Sequence, residues 1–297
     1  MAKLSKKTVT VKGAPTALLC NESNRDPLVF VHGGHPGSTP YCSGSHIWGP
    51  ALDLFSATHG IVAVELPGHG GTLAPSALSV DFYAEWMEEC LAASQVRSCF
   101  IVGHDFGGLI ALGLASRIPS VVKGISLVSS VAAAPTGDGA ENLTLAYPPV
   151  PLWTRNSQHW AFEQLSYSHE HITDELLDAC VSAAHQPPHL KVAAAVREGS
   201  FQNEFIPSLM KAKARFYELC RGTGIPVPVQ VIWGSHDRLG SLDQALWLYR
   251  LIASRQTAAH FHLINRVGSF PFREDPQSFH QIVDSFCQAV FPHSSPA

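Results

Sequence analysis

The chain has 297 residues, of which 45% are hydrophobic and 15% charged, enough apolar material for one large folded core and too much for general disorder. Its formal net charge of -4 and pI near 6.4, with no dense Lys/Arg block, give no footprint for a nucleic-acid backbone or an anionic membrane. Seven scattered cysteines, odd in number and never in a CxxC pair, indicate neither a disulfide framework nor a zinc site, so a cytoplasmic protein is expected.

The N-terminal MAKLSKK is followed by TVTVKG rather than by an apolar run, so it does not read as a signal peptide. After an alternating segment at Thr8 to Lys12, PLVFV (Pro27 to Val31) stops abruptly at HGG, as a buried parallel strand does on reaching a loop. IVAVEL (Ile61 to Leu66) stops in the same way at PGHG. CFIVG (Cys99 to Gly103) runs into DFGGLIALGLASRI, where helical spacing of apolar residues lasts until Pro119, and GISLVSS (Gly124 to Ser130) reads as the next strand. Strands alternating with helices imply a mostly parallel, doubly wound sheet covered on both faces.

That rhythm breaks near Pro135. From about Ala133 to Gly224 the chain is aromatic, punctuated by proline and helical in places (ITDELLDACVSAA; SLMKAKARFYELC), which suggests an inserted helical cap. Strand and helix return with VPVQVIWG, QALWLYRLI, HFHLIN and SFHQIVDSFCQAV. The expected organisation is therefore a core at residues 1-132 and 225-297 with a cap at 133-224.

The segment Gly103-His104-Asp105-Phe106-Gly107-Gly108 sits where a strand becomes a helix, the setting of a G-x-nucleophile-x-G elbow, with Asp105 at its tip. A capping aspartate is the plainer reading of Asp105, since Asp favours helix N-termini, but the flanking glycines favour function. With HGGHPGS (His32 to Ser38), Trp48 and ELPGHGGT (Glu65 to Thr72), the chain resembles the α/β-hydrolase superfamily over nearly its whole length. Those segments, with ITDELLDACVSAAHQPPHL and WGSHDRLGSLDQAL, are similar to the meta-cleavage-product branch, which hydrolyses carbon-carbon bonds in ring-cleavage products. The aspartate at the elbow instead resembles haloalkane dehalogenases and epoxide hydrolases.

The resemblance implies an oxyanion hole from the amides of Phe106 and Gly34, with Gly33 as the alternative, and a triad acid at Asp237. It also implies a catalytic histidine after the last strand, where this chain has Ser269 in the sequence Arg266-Val267-Gly268-Ser269-Phe270-Pro271. The cap arginine that grips a substrate carboxylate in the carbon-carbon hydrolases aligns with Cys180, with Arg197 the nearest later arginine as the alternative. His35 and His104 are the nearest substitutes for the missing histidine, and Trp48 is a further auxiliary candidate; His32 reads as a buttress of the oxyanion loop.

Three functions follow. The first is an enzyme in which Asp105 acts as general acid or base in a non-hydrolytic reaction such as elimination, cyclisation, isomerisation or carbon-carbon cleavage. The second is a hydrolase with Asp105 as nucleophile, and the third a non-catalytic binder of small molecules. The expected partner is a small apolar, aromatic or polyketide-like substrate, with homo-oligomerisation left open; the glycines lack G-x-G-x-x-G spacing and no cluster has metal-ligand spacing, so no cofactor or metal is expected.

Overall fold

The computed structural model describes residues 3–23, 25–135 and 142–290. Residues 136–141, near the start of the expected cap, and the first two residues of MAKLSKK lie outside the described residues.

Eight strands form one sheet: β1 (Ser5–Val11), β2 (Ala14–Cys20), β3 (Pro27–Val31), β4 (Gly60–Val64), β5 (Cys99–His104), β6 (Val122–Val128), β7 (Val229–Gly234) and β8 (Ala259–Ile264). Their spatial order is β1-β2-β4-β3-β5-β6-β7-β8. β1 and β2 form an antiparallel hairpin, β2 runs antiparallel to β4, and every other pairing is parallel. The fold is therefore an α/β-hydrolase fold. The sequence pattern missed β2, because its apolar face is interrupted and partly exposed at the sheet edge.

Helices cover both faces: α1 (Pro50–Ser56), α2 (Val80–Ala93), α3 (Phe106–Arg117), α8 (Leu242–Ala253), α9 (Pro271–Glu274) and α10 (Pro276–Val290). Two apolar clusters result, one including Val29, Val31, Ile101, Leu109 and Trp233, the other including Phe30, Trp48, Phe55, Phe100 and Phe279. Alternate residues of β3 and β5 feed opposite clusters, as a strand buried on both faces must.

Between β6 and β7 the described chain carries helices α4 (Arg155–Leu165), α5 (Asp174–Ala184), α6 (Pro187–Arg197) and α7 (Ile206–Arg221), with a π-helical turn at Phe201–Phe205 and no strand. Thr154 and Thr173 cap α4 and α5 by accepting from the amides of Ser157 and Leu176. The carboxyl ends of β3, β5, β7 and β8 open toward one edge of the sheet, the edge at which parallel α/β sheets bind ligands. Among the described residues no helix is long and apolar enough to cross a membrane.

Candidate active site

Asp105 terminates β5 and caps α3 with φ 44° and ψ -111°, a left-handed conformation a non-glycine residue adopts only under constraint. The constraint is steric and comes from the glycines. A Cβ on Gly103 would lie 2.6 Å from the Gly107 carbonyl oxygen, and one on Gly107 would overlap the Val31 carbonyl, so both positions admit only hydrogen. The Asp105 amide donates to the Val128 carbonyl at 3.0 Å and the Ser130 hydroxyl donates to the Asp105 carbonyl at 2.6 Å, which ties the turn to the end of β6.

The half-buried Asp105 carboxylate accepts from the Ala132 amide at 3.1 Å. This donor sits on the loop after β6, and sequence reasoning missed it because no side chain announces a backbone amide. No histidine hydrogen-bonds to Asp105 among the described residues.

The loop after β3 packs directly against the elbow. A Cβ on Gly33 would meet the Asp105 Cβ at 2.7 Å, and Gly34 takes φ +79°. His32 is fully buried and holds this loop: its Nδ1 donates to the Gly33 carbonyl at 2.9 Å while its Nε2 accepts from the Leu66 amide at 3.1 Å. Burial pushes its pKa down to about 3, so it stays neutral. The Phe106 amide, first in α3, has no intrahelical acceptor and points to the same edge.

The structure brings Asp237 and Ser269 together. Asp237 lies on the loop after β7, and its Oδ1 accepts from the Ser269 hydroxyl at 2.6 Å and from the amides of Leu239 at 2.9 Å and Gly240 at 3.2 Å. Its Oδ2 is buried without a partner. Burial raises the Asp237 pKa to about 6 against those three donors and the nearby Ser129 hydroxyl. Ser129 Oγ is itself buried without a hydrogen bond and neighbours the carboxylate without donating to it.

The auxiliary candidates turn elsewhere. The His104 ring points into the core among Trp48, Phe270 and Phe272, and its Nε2 donates to the Ser269 carbonyl at 3.0 Å. Consecutive residues at a strand end alternate faces, so the backbone proximity of His104 to Asp105 places its imidazole on the other side. This candidate substitute for the missing histidine instead links the elbow to the Ser269 loop. Trp48 is likewise fully buried between Phe30 and Phe272, a core residue and not a wall of the cleft.

His35 remains near the cleft, against Phe205 at 4.1 Å and Phe201 at 5.0 Å between ring centroids, with neither ring nitrogen hydrogen-bonded. Burial lowers its pKa to about 3. Cys180 is buried 3.3 Å from His46 Nε2, and the buried Arg273 guanidinium is the charged group that acts on it. Tyr41, which the sequence reading did not single out, is buried beside this loop, with its hydroxyl 3.7 Å from where a Gly34 Cβ would stand. Burial, and after it the charges of Asp105, Cys180 and Asp237, raise its pKa far above the usual phenol range, leaving a neutral donor.

The seven cysteines are free thiols, and no group of three or more His, Cys, Asp or Glu side chains among the described residues is arranged to hold a metal ion.

The family profile of the Alpha/beta hydrolase family matches residues 28–282, a span that includes the elbow, Asp237 and Ser269. The chain belongs to the α/β-hydrolase family. It is 24% identical over 272 residues to a 2-hydroxy-6-oxo-2,4-heptadienoate hydrolase of Pseudomonas putida, covering 89% of this chain and 90% of that one. It is 25% identical over 263 residues to a 2-hydroxymuconate semialdehyde hydrolase of a Pseudomonas species, covering 88% and 86%. A solved meta-cleavage product hydrolase from Pseudomonas fluorescens superposes with TM-score 0.76 over 95% of this chain and 97% of its own, at 22% identity. These likenesses span both halves of the sheet and the helices inserted between them.

Proposed function

We propose that this α/β-hydrolase-family enzyme acts on a small apolar or aromatic substrate with Asp105 as general acid or base, in a non-hydrolytic reaction. The observation that carries the reading is the joint geometry of Asp105 and Ser269. The elbow is intact, yet the position after β8 holds a hydroxyl bonded to Asp237, and the nearest histidine, His104, is committed to the Ser269 carbonyl. An ester on Asp105 needs a base-activated water to be released, and a neutral serine hydroxyl does not remove a proton from water near neutral pH. A carboxylate that only exchanges protons needs no such partner.

In this reading Asp105 takes a proton from an acidic carbon, the C–H electron pair moves toward the adjoining carbonyl, and the resulting oxyanion lies against the amides of Phe106 and Gly34. Return of the proton to another carbon, departure of a leaving group or closure of a ring then completes the reaction. The names of the relatives, hydrolases of dienoate and semialdehyde compounds, support a conjugated carbonyl substrate that forms an enolate easily.

Deuterium exchange at the α-carbon of an aryl ketone probe, followed by NMR, tests this. The protein should accelerate exchange, and Asp105→Asn should lower the rate by about 10²–10⁴-fold. Exchange that survives Asp105→Asn counts against the reading. The strained elbow also supports a second reading, a nucleophilic Asp105. A covalent adduct on Asp105 after exposure to styrene oxide, seen by intact-protein mass spectrometry, is its signature.

A further inference from the structure

Helix α7 presents Ala212, Lys213, Phe216 and Cys220 as its buried face. The positions i, i+1, i+4 and i+8 form one stripe, and three of its four members are apolar. The fourth is a lysine only 6% exposed. A buried ammonium is costly unless a negative group answers it, so its presence calls for a specific partner.

The packing of α7 shows where that ammonium is held. One turn further along, the Tyr217 hydroxyl donates to the Ala133 carbonyl at 3.1 Å, and the adjoining Ala132 amide donates to Asp105 Oδ1 at 3.1 Å. At the other end of the helix, Phe205 packs on Phe106, the residue after the elbow aspartate, at 5.2 Å between ring centroids. Helical side chains lean toward the N-terminus, so Lys213 leans from the Tyr217 anchor toward the Phe205–Phe106 contact. Both anchors flank Asp105. Lys213 forms no ion pair or hydrogen bond among the described residues; burial pushes its pKa down, and Asp105 is the charged group that acts against that burial.

The other titratable groups around this space do not compete for the ammonium. His35, from the loop after β3, is neutral by burial; Tyr41 is a neutral phenol; and Tyr217 is occupied by the Ala133 carbonyl. Asp81 on α2 is paired with Arg215 on the exposed side of α7.

We propose that Lys213 is a catalytic residue whose ammonium binds the anionic oxygen formed when Asp105 deprotonates the substrate. The electron pair of the broken C–H bond ends on the carbonyl oxygen, the proton ends on the Asp105 carboxylate, and Lys213 keeps its own protons while the negative charge that acts on it moves from Asp105 to the enolate. The net charge of the site is thus conserved through the step. The substrate class is a carbonyl compound whose enolate oxygen lies against the Phe106 and Gly34 amides on one side and meets Lys213 from the inserted helices on the other. This deepens the acid-base reading of Asp105 and rests on it.

The test uses 4-nitrophenol as an enolate mimic, because its own absorbance reports how much of the bound dye is phenolate. Bound to the wild-type protein, the dye should ionise about one pH unit lower than in water, a tenfold preference for the anion. Asp105→Asn, which removes the competing carboxylate, should enlarge that shift. Lys213→Met should abolish it and Lys213→Arg should retain part of it. Bound dye should also protect Lys213, but not Lys211, from trinitrobenzenesulfonate as read by peptide mass, a measurement that needs no variant to fold. The proposal is overturned by an unshifted or upward-shifted dye, by a downward shift that persists in Lys213→Met, by absence of binding at millimolar dye, or by labelling of Lys213 that the dye leaves unchanged. Dye binding and the loss of exchange in Asp105→Asn are separate readouts, so either idea can fail while the other stands.

Discussion

The Ser269 hydroxyl donates to Asp237 Oδ1 at 2.6 Å, closing a short hydrogen bond between the loops after β8 and β7. The carboxyl oxygen it uses already accepts two amides, while Oδ2 is left buried and unpartnered. This places the hydroxyl on the acid and away from Asp105, and it fixes how the acid titrates.

A carboxyl group with three donors on one oxygen and none on the other is suited to carry its proton on the second. Asp237 rises from 3.8 to about 6 through burial, so its neutral form favours the folded state. That stabilisation is fully present below pH 3.8 and is lost as pH rises through about 6, a change on the order of 3 kcal/mol. Asp237→Asn keeps a carbonyl acceptor and cannot ionise. Urea titrations should show it gaining on wild type as pH rises from 5 to about 7; parallel curves across that range would mean Asp237 does not carry this proton.

Ser269→Ala removes a donor that lowers the Asp237 pKa, so the acid should stay protonated to higher pH. The stability loss should be about 1–3 kcal/mol, and larger at pH 8 than at pH 5, because the lost bond matters most to the ionised form. Infrared absorption of the protonated carboxyl band, difference-subtracted against Asp237→Asn, checks the direction.

Ser269→His returns an imidazole to the loop beside Asp237. In this variant styrene oxide should be hydrolysed with turnover, at least about tenfold above wild type, since general-base assistance commonly contributes 10²–10⁴-fold. Diol release is measured by chromatography. A variant that folds, forms the Asp105 ester and still fails to release it places the block elsewhere than at Ser269.

The buried histidines make the fold acid-sensitive. Burial lowers the pKa of His32, His35 and His171 to about 3 and of His46 and His189 to about 4, with His69 and His104 also lowered. Their neutral forms stabilise the fold fully above pH 6.5, and that contribution is lost as pH falls below 6.5 through the folded values. Each unfolded histidine that binds a proton the folded chain refuses costs about 1.4 kcal/mol per pH unit. A few of them exhaust a stability of about 5–15 kcal/mol within two pH units. Circular dichroism should show cooperative acid unfolding between about pH 6 and 4, and His35→Phe, which matches its aromatic neighbours, should move the midpoint to lower pH.

Gly107→Ala puts a methyl group onto the Val31 carbonyl oxygen at the crossing of α3 and β3. Backbone on both sides leaves no room to yield, so a loss of about 3 kcal/mol or more in thermal or urea unfolding is expected. Gly113→Ala, where the nearest atom is Ala84 Cβ on the neighbouring helix α2 at an ordinary contact distance of 3.6 Å, should be neutral to stabilising.

The sequence by itself determined the class of fold and the position of the elbow. Apolar runs such as PLVFV and CFIVG are read directly because a strand buried on both faces must be apolar throughout, and the Gly103, Gly107 and Gly108 spacing marks the strand-to-helix turn, although Gly107 and Gly108 are held to glycine by Val31 and Ser130 from distant parts of the chain. The resemblance to the family also placed Ser269 on the loop after the last strand, where the structure has it beyond β8. What each side chain touches was decided by tertiary structure. His104 and Asp105 are neighbours in sequence, yet the pleat sends one ring into the core toward Ser269 and leaves the other carboxylate at the sheet edge beside Ala132. Lys213 was invisible for the same reason: only the docking of α7 through Tyr217 and Phe205 turns one lysine in an apolar stripe toward a carboxylate 108 positions earlier in the chain. Backbone periodicity fixes elements, whereas partners across the cleft are fixed by how those elements pack.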